Sequence, residues 1–504
     1  MVEMDYSNGG TSAESTSVLE KAINIKPHHS AMTSDLPQVT MDLDTDDKDN
    51  PRNWSPRKKA LTACFVLVTV FTATLGTPIY VAAIPGAQQH FNLLTTLAIL
   101  PGSLYAYGLS FGALIGTAAC EIYGRRIVYQ VSVPLSLIFT IVGGASKNYA
   151  TLAVARSLAG LFSGPCLTVG AGIINDLWDV RLEKTGTSFV VLFVLCIVWA
   201  TQAGPMISAS VVQDQGWRWT FWVMTILAGI VTVWAFLIPE TYHPQVVRAK
   251  AKKEGREVES RGSKLYVFLV AVGRPLHMII IEPIVFPTSL VLAVTQSVVF
   301  AYYINYALLY ERVYHFTQYQ VGMAFGALLV GSFVSIPIIA AFDKLTYQKA
   351  RSEALRLGKT VAPEMRLYPA MVGSITLPIS LFWLAWTGKS SIHWIVPTLS
   401  GILFGFSYVV NVMCLPVYNN DVYGARFGAS VLAASTFIRF LLSSSFLLFT
   451  NKMVDNLGFA WATSLLGFIT VAMIPIPWVF FKWGPVLRTK SRYLKDEVEG
   501  EGSQ

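Results

Sequence analysis

From residue 60 to residue 120 the chain contains no Asp, Glu, Lys or Arg. Further uncharged runs cover 127–146, 185–213, 219–239, 283–310, 313–342, 367–388, 390–420 and 456–481. About twenty apolar residues in helical form cross a hydrocarbon core of roughly 30 Å. A bilayer offers no water to peptide groups, so such runs must close their own hydrogen bonds as helices. Only 13% of the 504 residues are charged and 53% are hydrophobic, whereas soluble domains carry about 25% charge. The chain therefore reads as an all-α membrane protein. Spans are predicted at 60–82, 95–117, 127–146, 151–174, 188–210, 218–238, 284–308, 319–342, 367–387, 393–416, 427–448 and 459–481.

The basic residues orient these twelve spans. With a cytosolic N-terminus, 31 of the 38 Lys and Arg fall in the tails and inner loops. Five fall outside, and Arg156 and Arg439 lie within spans. This bias matches the positive-inside rule and places both termini in the cytosol. Eleven or thirteen spans would put successive basic loops on the wrong side. The organisation expected is a disordered polar tail (1–59), a six-helix bundle (60–239), a cytosolic linker (240–280), a second bundle (281–482) and a cytosolic tail (483–504). The linker alternates basic and acidic residues between Arg248 and Glu259, a pattern suited to a surface helix. Phe111-Gly-Ala-Leu in span 2 returns as Phe325-Gly-Ala-Leu in span 8, a faint echo between the halves. No short apolar core with a cleavage site precedes span 1, which is expected to direct insertion.

Several function classes drop out. The net charge of +8 sits in loops between apolar runs and makes no nucleic-acid-binding face. The five cysteines show no metal-ligand spacing and read as small packing residues. Around Gly358-Lys359-Thr360 the leading glycine of a phosphate loop is replaced by Glu353, which excludes an ATP-driven pump of that type. No His or acid clusters within the spans, so no enzyme is expected. Asn53-Trp-Ser matches a glycosylation sequon but lies in the cytosolic tail, so it should stay unmodified.

Four patterns carry chemistry. Glu121-Ile-Tyr-Gly124-Arg125-Arg126 forms a tight inner turn whose charges can pair with helix ends and neighbouring acids. Arg156 lies inside span 4, just ahead of Gly160, and a cation at that depth is rarely idle. Gly204-Pro205 breaks span 5 amid small residues. Arg439 is a second cation, within span 11. Taken with Asn50-Pro-Arg-Asn-Trp54-Ser, Pro239-Glu240-Thr241-Tyr242 and Trp461-Ala-Thr-Ser-Leu-Leu-Gly, the first three of these patterns resemble, in order, motifs of major facilitator superfamily transporters. The likeness is to the fungal twelve-span drug:proton antiporter type and covers about residues 50–493. Departures are Thr117 where the family commonly has Gly, Glu121 where it has Asp, and Ser208-Ala209 in place of paired glycines. They predict altered packing between spans 2 and 11, or 5 and 8.

The resemblance implies two bundles that rock about a central site, exporting small amphipathic compounds across the plasma membrane. A uniporter, an importer and a channel stand as alternatives. The implied inner gate joins Glu121, Gly124, Arg125 and Arg126 to Asp176. Its solvated pairs are each worth about 1 kcal/mol or less. For Arg125 and Arg126 the plainer alternative is topology anchoring. Candidate substrate residues are Arg156, Gln202, Tyr302, Asn305, Tyr306, Tyr408, Asn411 and Arg439. Tyr302 and Tyr306 share one helix face, which suits a flat ligand or, equally, an aromatic belt at the interface. The arginines could also hold an anionic metabolite. No acid or His falls near the middle of a span, so coupling protons would fall to Glu121 and Asp176. No metal or cofactor is implied, with a proton gradient as energy source. The partners expected are a small-molecule substrate and the bilayer, for a monomer that binds no nucleic acid.

Overall fold

The computed structural model describes residues 47, 49–178, 183–254, 263–357 and 361–494. All regular structure among them is helical. Thirteen helices are long and apolar enough to cross a membrane. Twelve are the expected spans: Pro56–Phe91, Thr95–Tyr123, Arg125–Gly144, Tyr149–Leu177, Thr185–Gln215, Trp219–Leu237, Val285–Arg312, Gln318–Glu353, Pro363–Thr387, Ile395–Gly424, Phe427–Leu457 and Phe459–Thr489, here spans 1 to 12. They make two six-helix bundles. Outward stripes such as Ile226, Ile230, Val233 and Leu237 on span 6, and Ile375, Ile379, Trp383 and Trp386 on span 9, are exposed apolar side chains at helical spacing. Hydrocarbon is the solvent they fit.

The thirteenth apolar helix, Lys264–Ile281, lies in the linker. It is not a further crossing. The chain enters the linker at Glu240, whose carboxylate accepts the backbone N–H groups of Arg125 and Arg126 at 3.0 Å each. It leaves at Glu282, which accepts from Tyr423 at the end of span 10 (2.7 Å) and from Ser491 beyond span 12 (2.6 Å). These points all lie on one face, called here the linker face. A segment that starts and ends on the same face cannot cross once. The helix instead lies against the linker-face ends of the spans, with buried Arg274 3.5 Å from Glu121. A shorter helix, His243–Lys253, precedes it, and Gln245 Nε2 donates to the free carbonyl of Ile122 (2.5 Å) at the end of span 2.

Several ends differ from the expectation. The tail was expected to be disordered to residue 59. Asn53 Nδ2 donates to Asp47 O (2.9 Å), Asp47 pairs with Lys250 of the linker, and span 1 starts at Pro56. Residues 1–46 lie outside the described residues, as do Arg256, Glu257 and Glu259 of the linker and residues 495–504 of the C-terminal tail. Span 8 continues past its predicted end at residue 342 through a π-turn at Asp343–Tyr347. The cysteines are free thiols, and Cys64 is exposed on the outer side of span 1.

Glycines set the closest approaches. Gly108 and Gly112 of span 2 lie on the carbonyls of Ser157 and Leu161 in span 4, and Gly160 and Gly164 lie on the backbone of span 2. The second bundle repeats this seam: Gly331 of span 8 meets Ile402 O of span 10, and Gly405 meets Leu328 O. The sequence echo does not map onto it. Gly112 is in backbone contact, whereas nothing lies within 4 Å of a Cβ built on Gly326. A side chain at the seam must separate two backbones, because there is no rotamer to adjust. Gly112→Val is therefore expected to destabilise the protein by about 3 kcal/mol or more, and Gly326→Ala to leave stability unchanged or raise it by up to about 1 kcal/mol. Thermal unfolding of both variants in detergent, followed by intrinsic fluorescence, checks the pair.

Candidate functional site

Two charged clamps stand at the linker face. In the first, Arg125 at the start of span 3 grips Asp176 at the end of span 4 with both nitrogens, Nε at 2.5 Å and Nη2 at 3.1 Å. Each charge alone sits at the unfavourable end of its helix dipole, and together they compensate. Gly124 is required twice. Its φ is +85°, and a Cβ there would meet Glu240 Oε2 at 2.5 Å. Glu240 also accepts from Thr241 N and Tyr242 N (3.0 and 2.8 Å), which ties the end of span 6 to this turn. Burial beside this carboxylate-rich turn raises the Tyr242 phenol above its ordinary range.

The expected gate set is only partly assembled. Glu121 turns from Arg125 and Arg126 to Arg274 of the linker. Arg126 joins through its backbone N–H, and its side chain is exposed. The second clamp was not anticipated. Arg366, at the start of span 9, bonds Asp421 at the end of span 10 (3.1 Å) and stands 3.6 Å from Asp343 at the π-turn of span 8. Its sequence signal is the same as in the first half, an Arg opening an odd span and an Asp closing the next even one. Among the described residues, no ion pair on this face joins a span of one bundle directly to a span of the other.

Arg156 is buried inside the first bundle and does not reach the second. Span 1 breaks at Gly76-Thr77-Pro78, where proline has no N–H to give. The carbonyl of Gly76 accepts from Arg156 Nη2 (2.6 Å), and Pro101 O accepts from Nε (3.3 Å). The guanidinium lies 4.3 Å from the centroid of the Tyr105 ring, and Tyr105 OH donates to Ala73 O (2.8 Å). Gly204 of span 5 packs on the same break, since a Cβ there would meet Pro78 Cβ at 2.7 Å, and Pro205 follows within the continuous helix. The predicted packing changes resolve locally. Thr117 bonds Thr168 of span 4 (2.9 Å) and so faces span 4, not span 11. The small residue between spans 5 and 8 is supplied from the other side, by Gly322 against Ala209.

The two bundles meet through polar groups near the middle of their spans. Gln202 of span 5 bonds Ser332 of span 8. Tyr303 of span 7 and Tyr408 of span 10 both face Thr201 of span 5, and Tyr408 OH donates to Gln296 of span 7 (2.9 Å). Arg439 of span 11 faces Tyr408. Nearby, Tyr107 and Ser445 share a hydrogen bond of 2.7 Å, and Ser110 donates to Phe437 O (2.8 Å), joining spans 2 and 11. Within this cluster Gln202 Nε2, Gln296 Nε2, Tyr303 OH and Arg439 Nε are buried without a hydrogen-bond partner. Such groups are rare in a finished interior and suit a site that a ligand completes.

Of the predicted substrate residues, Gln202, Tyr408 and Arg439 belong to this cluster. Tyr302 and Tyr306 stack on each other (5.0 Å between centroids), with Tyr302 stacked on Phe404 (4.0 Å) and Tyr306 edge-on to Phe325 (5.0 Å), inside the second bundle. They form neither an interfacial belt nor an open binding face. Asn305 bonds Thr463 of span 12 (3.4 Å), and Asn411 lies against Gly373 of span 9. Thr201, Gln296 and Ser332 were missed, because single hydroxyls and amides in apolar helices give no signal until depth and facing are known. Polar contacts also join the bundles at the face opposite the linker, where Gln318 Nε2 donates to Ala82 O (2.8 Å) and Tyr319 N to Gln213 Oε1 (3.0 Å). Among the described residues, no group of three His, Cys, Asp or Glu could hold a metal ion.

Comparison with known proteins agrees with this architecture. Residues 66–447 match the family model described as Major Facilitator Superfamily. The chain is 32% identical to Polyamine transporter 4 of Saccharomyces cerevisiae, over 98% of this chain and 80% of that protein. It is 29% identical to the major facilitator superfamily multidrug transporter mdrA of Aspergillus fumigatus, over 94% of this chain and 79% of that one. The crystal structure of the human organic anion transporter MFSD10 superposes with a TM-score of 0.60, at 14% identity, over 85% of this chain and all of that one, a likeness of fold.

Because Arg156 donates to the buried carbonyl of Gly76 at the break in span 1, Arg156→Gln is expected to lower stability by about 1–3 kcal/mol. A lower unfolding midpoint in detergent checks this. An unchanged midpoint would show that water replaces the guanidinium without loss.

Proposed function

The chain belongs to the major facilitator superfamily, and we propose that it is a secondary exporter of small amphipathic organic compounds in the plasma membrane. It is a multi-pass membrane transporter, and the export direction is our reading. The observation that carries it is the mid-depth cluster, where Gln202 meets Ser332, Thr201 meets Tyr303 and Tyr408, and Arg439 and the amides keep unpaired donors. Substrate sites of such proteins lie between bundles near the midplane. A polar cluster of small hydroxyls, flanked by aromatic rings, suits compounds with one polar end and an apolar body.

The linker face is the cytosolic one in this reading, with both termini on that side. The contacts Gln318 to Ala82 and Tyr319 to Gln213 then close the outer end. The clamps Arg125–Asp176 and Arg366–Asp421 hold each bundle together internally at the cytosolic end. Opening the outer end breaks a few hydrogen bonds of about 1 kcal/mol each, a scale on which a ligand can shift a two-state balance. The chain acts as a monomer with a small-molecule substrate.

Energy is proposed to come from the proton gradient. Glu121 is the acid best placed to carry the proton, since Oε2 is buried without a partner while Oε1 faces Arg274. A second reading, facilitated transport without proton coupling, is favoured by one observation: among the described residues no acid stands in the mid-depth cluster. Inside-out vesicles with an imposed pH gradient separate the two. Antiport predicts concentrative uptake of panel compounds that collapses with the gradient and falls at least about tenfold in Glu121→Gln. Uptake that ignores the gradient selects the facilitated reading, and uptake of none sinks the export proposal.

A further inference from the structure

Two arginines are buried in the spans, and their surroundings are opposite. Arg156 donates to two backbone carbonyls and lies over an aromatic ring, so its donors are used within the fold. Arg439 is 6% exposed, has no carboxylate within ion-pair distance among the described residues, and leaves Nε unpartnered. The group its charge acts on is the buried phenol of Tyr408. A buried cation without a counter-charge is costly, and the described fold offers Arg439 the Phe440 ring, 4.9 Å from its guanidinium, but no carboxylate.

The unpaired nitrogens beside it are all donors. Gln202 Nε2 and Gln296 Nε2 are N–H donors, because the oxygens of both amides already accept from Ser332 and Tyr408. Arg439 Nε is a third, and the Tyr303 hydroxyl can donate as well as accept. Donors gathered around an uncompensated positive charge call for a group with several acceptor lone pairs and a negative charge. We propose that Arg439 is the anchor of an anion site, and that this transporter takes amphipathic organic carboxylates. The inference rests on the mid-depth cluster being the substrate site. A polyamine is the wrong partner for it, since a polycation would face Arg439 with no acid in the cluster to receive it. The carboxylate would take the guanidinium and amide donors, and the apolar body would lie among the tyrosine rings.

The test is ligand-induced stabilisation of the purified full chain in nanodiscs. The probes are benzoate, salicylate and indole-3-acetate, with benzamide as neutral isostere and spermine as cation. The carboxylates are expected to raise the unfolding midpoint saturably, with benzamide at least about tenfold weaker and spermine without effect. Arg439→Gln should abolish the preference of carboxylate over amide, and Arg439→Lys should keep it. Since Arg439→Gln removes an uncompensated charge, its midpoint without ligand should equal or exceed that of the unmodified chain, unlike Arg156→Gln. The proposal is overturned if no carboxylate stabilises the protein, if benzamide matches benzoate, or if Arg439→Gln retains the preference. Carboxylate binding with no uptake in vesicles would sink the export reading alone. Uptake of neutral or cationic compounds by Arg439→Gln at the unmodified rate would sink the anion inference alone.

Discussion

Every feature of this molecule answers to the absence of water around its peptide groups. Within unbroken helices the answer is internal. Where a helix breaks, a side chain from elsewhere must stand in. At the break in span 1, Tyr105 donates to Ala73 O and Arg156 to Gly76 O. At the start of span 3, Glu240 accepts two backbone N–H groups, and at the end of span 2 Gln245 donates to a free carbonyl. The charged residues that look expensive in the sequence are thus mostly fillers of backbone valence. That logic also makes Arg439 conspicuous, because no backbone group claims it.

Electrostatics at the linker face follows a repeated plan. An arginine opening one span is held by an aspartate closing the next, in both halves, as Arg125–Asp176 and Arg366–Asp421. Each pair corrects two unfavourable helix-end charges at once. Across the bundles the connections are of another kind, single hydrogen bonds between neutral groups near mid-depth and at the opposite face. Strong ties within bundles and weak ties between them are what a two-body motion requires.

The fold was readable because hydrophobic length and loop charge are additive along a chain. Nine uncharged runs, the first holding two spans, and two apolar stretches with one arginine each appear as twelve spans, and parity disposes of the apolar helix at Lys264–Ile281 that composition would have counted as another. The turn Glu121 to Arg126 was legible because glycine and arginine there have local roles. Its partners were less so. Glu121 reaches Arg274, a residue assigned to the linker, and that pairing depends on where an interfacial helix settles. The aromatic face of span 7 misled for the same reason. Periodicity shows that Tyr302 and Tyr306 share a side, and only the placement of Phe404 and Phe325 shows which side it is. Thr201, Gln296 and Ser332 carried no mark at all, since a buried hydroxyl in a helix usually bonds its own backbone.

The glycine seams have a consequence for how such a protein changes over generations. Because spans 2 and 4, and spans 8 and 10, touch at the level of the main chain, the architecture rests on a handful of positions that tolerate no substitution. The residues proposed to face the ligand occupy other positions, on spans 5, 7, 8, 10 and 11, although Ser332 directly follows the seam glycine Gly331. Selection can therefore rewrite the chemistry at mid-depth while the frame stays constant, and new cargo specificities become accessible in single steps without passing through unfolded intermediates.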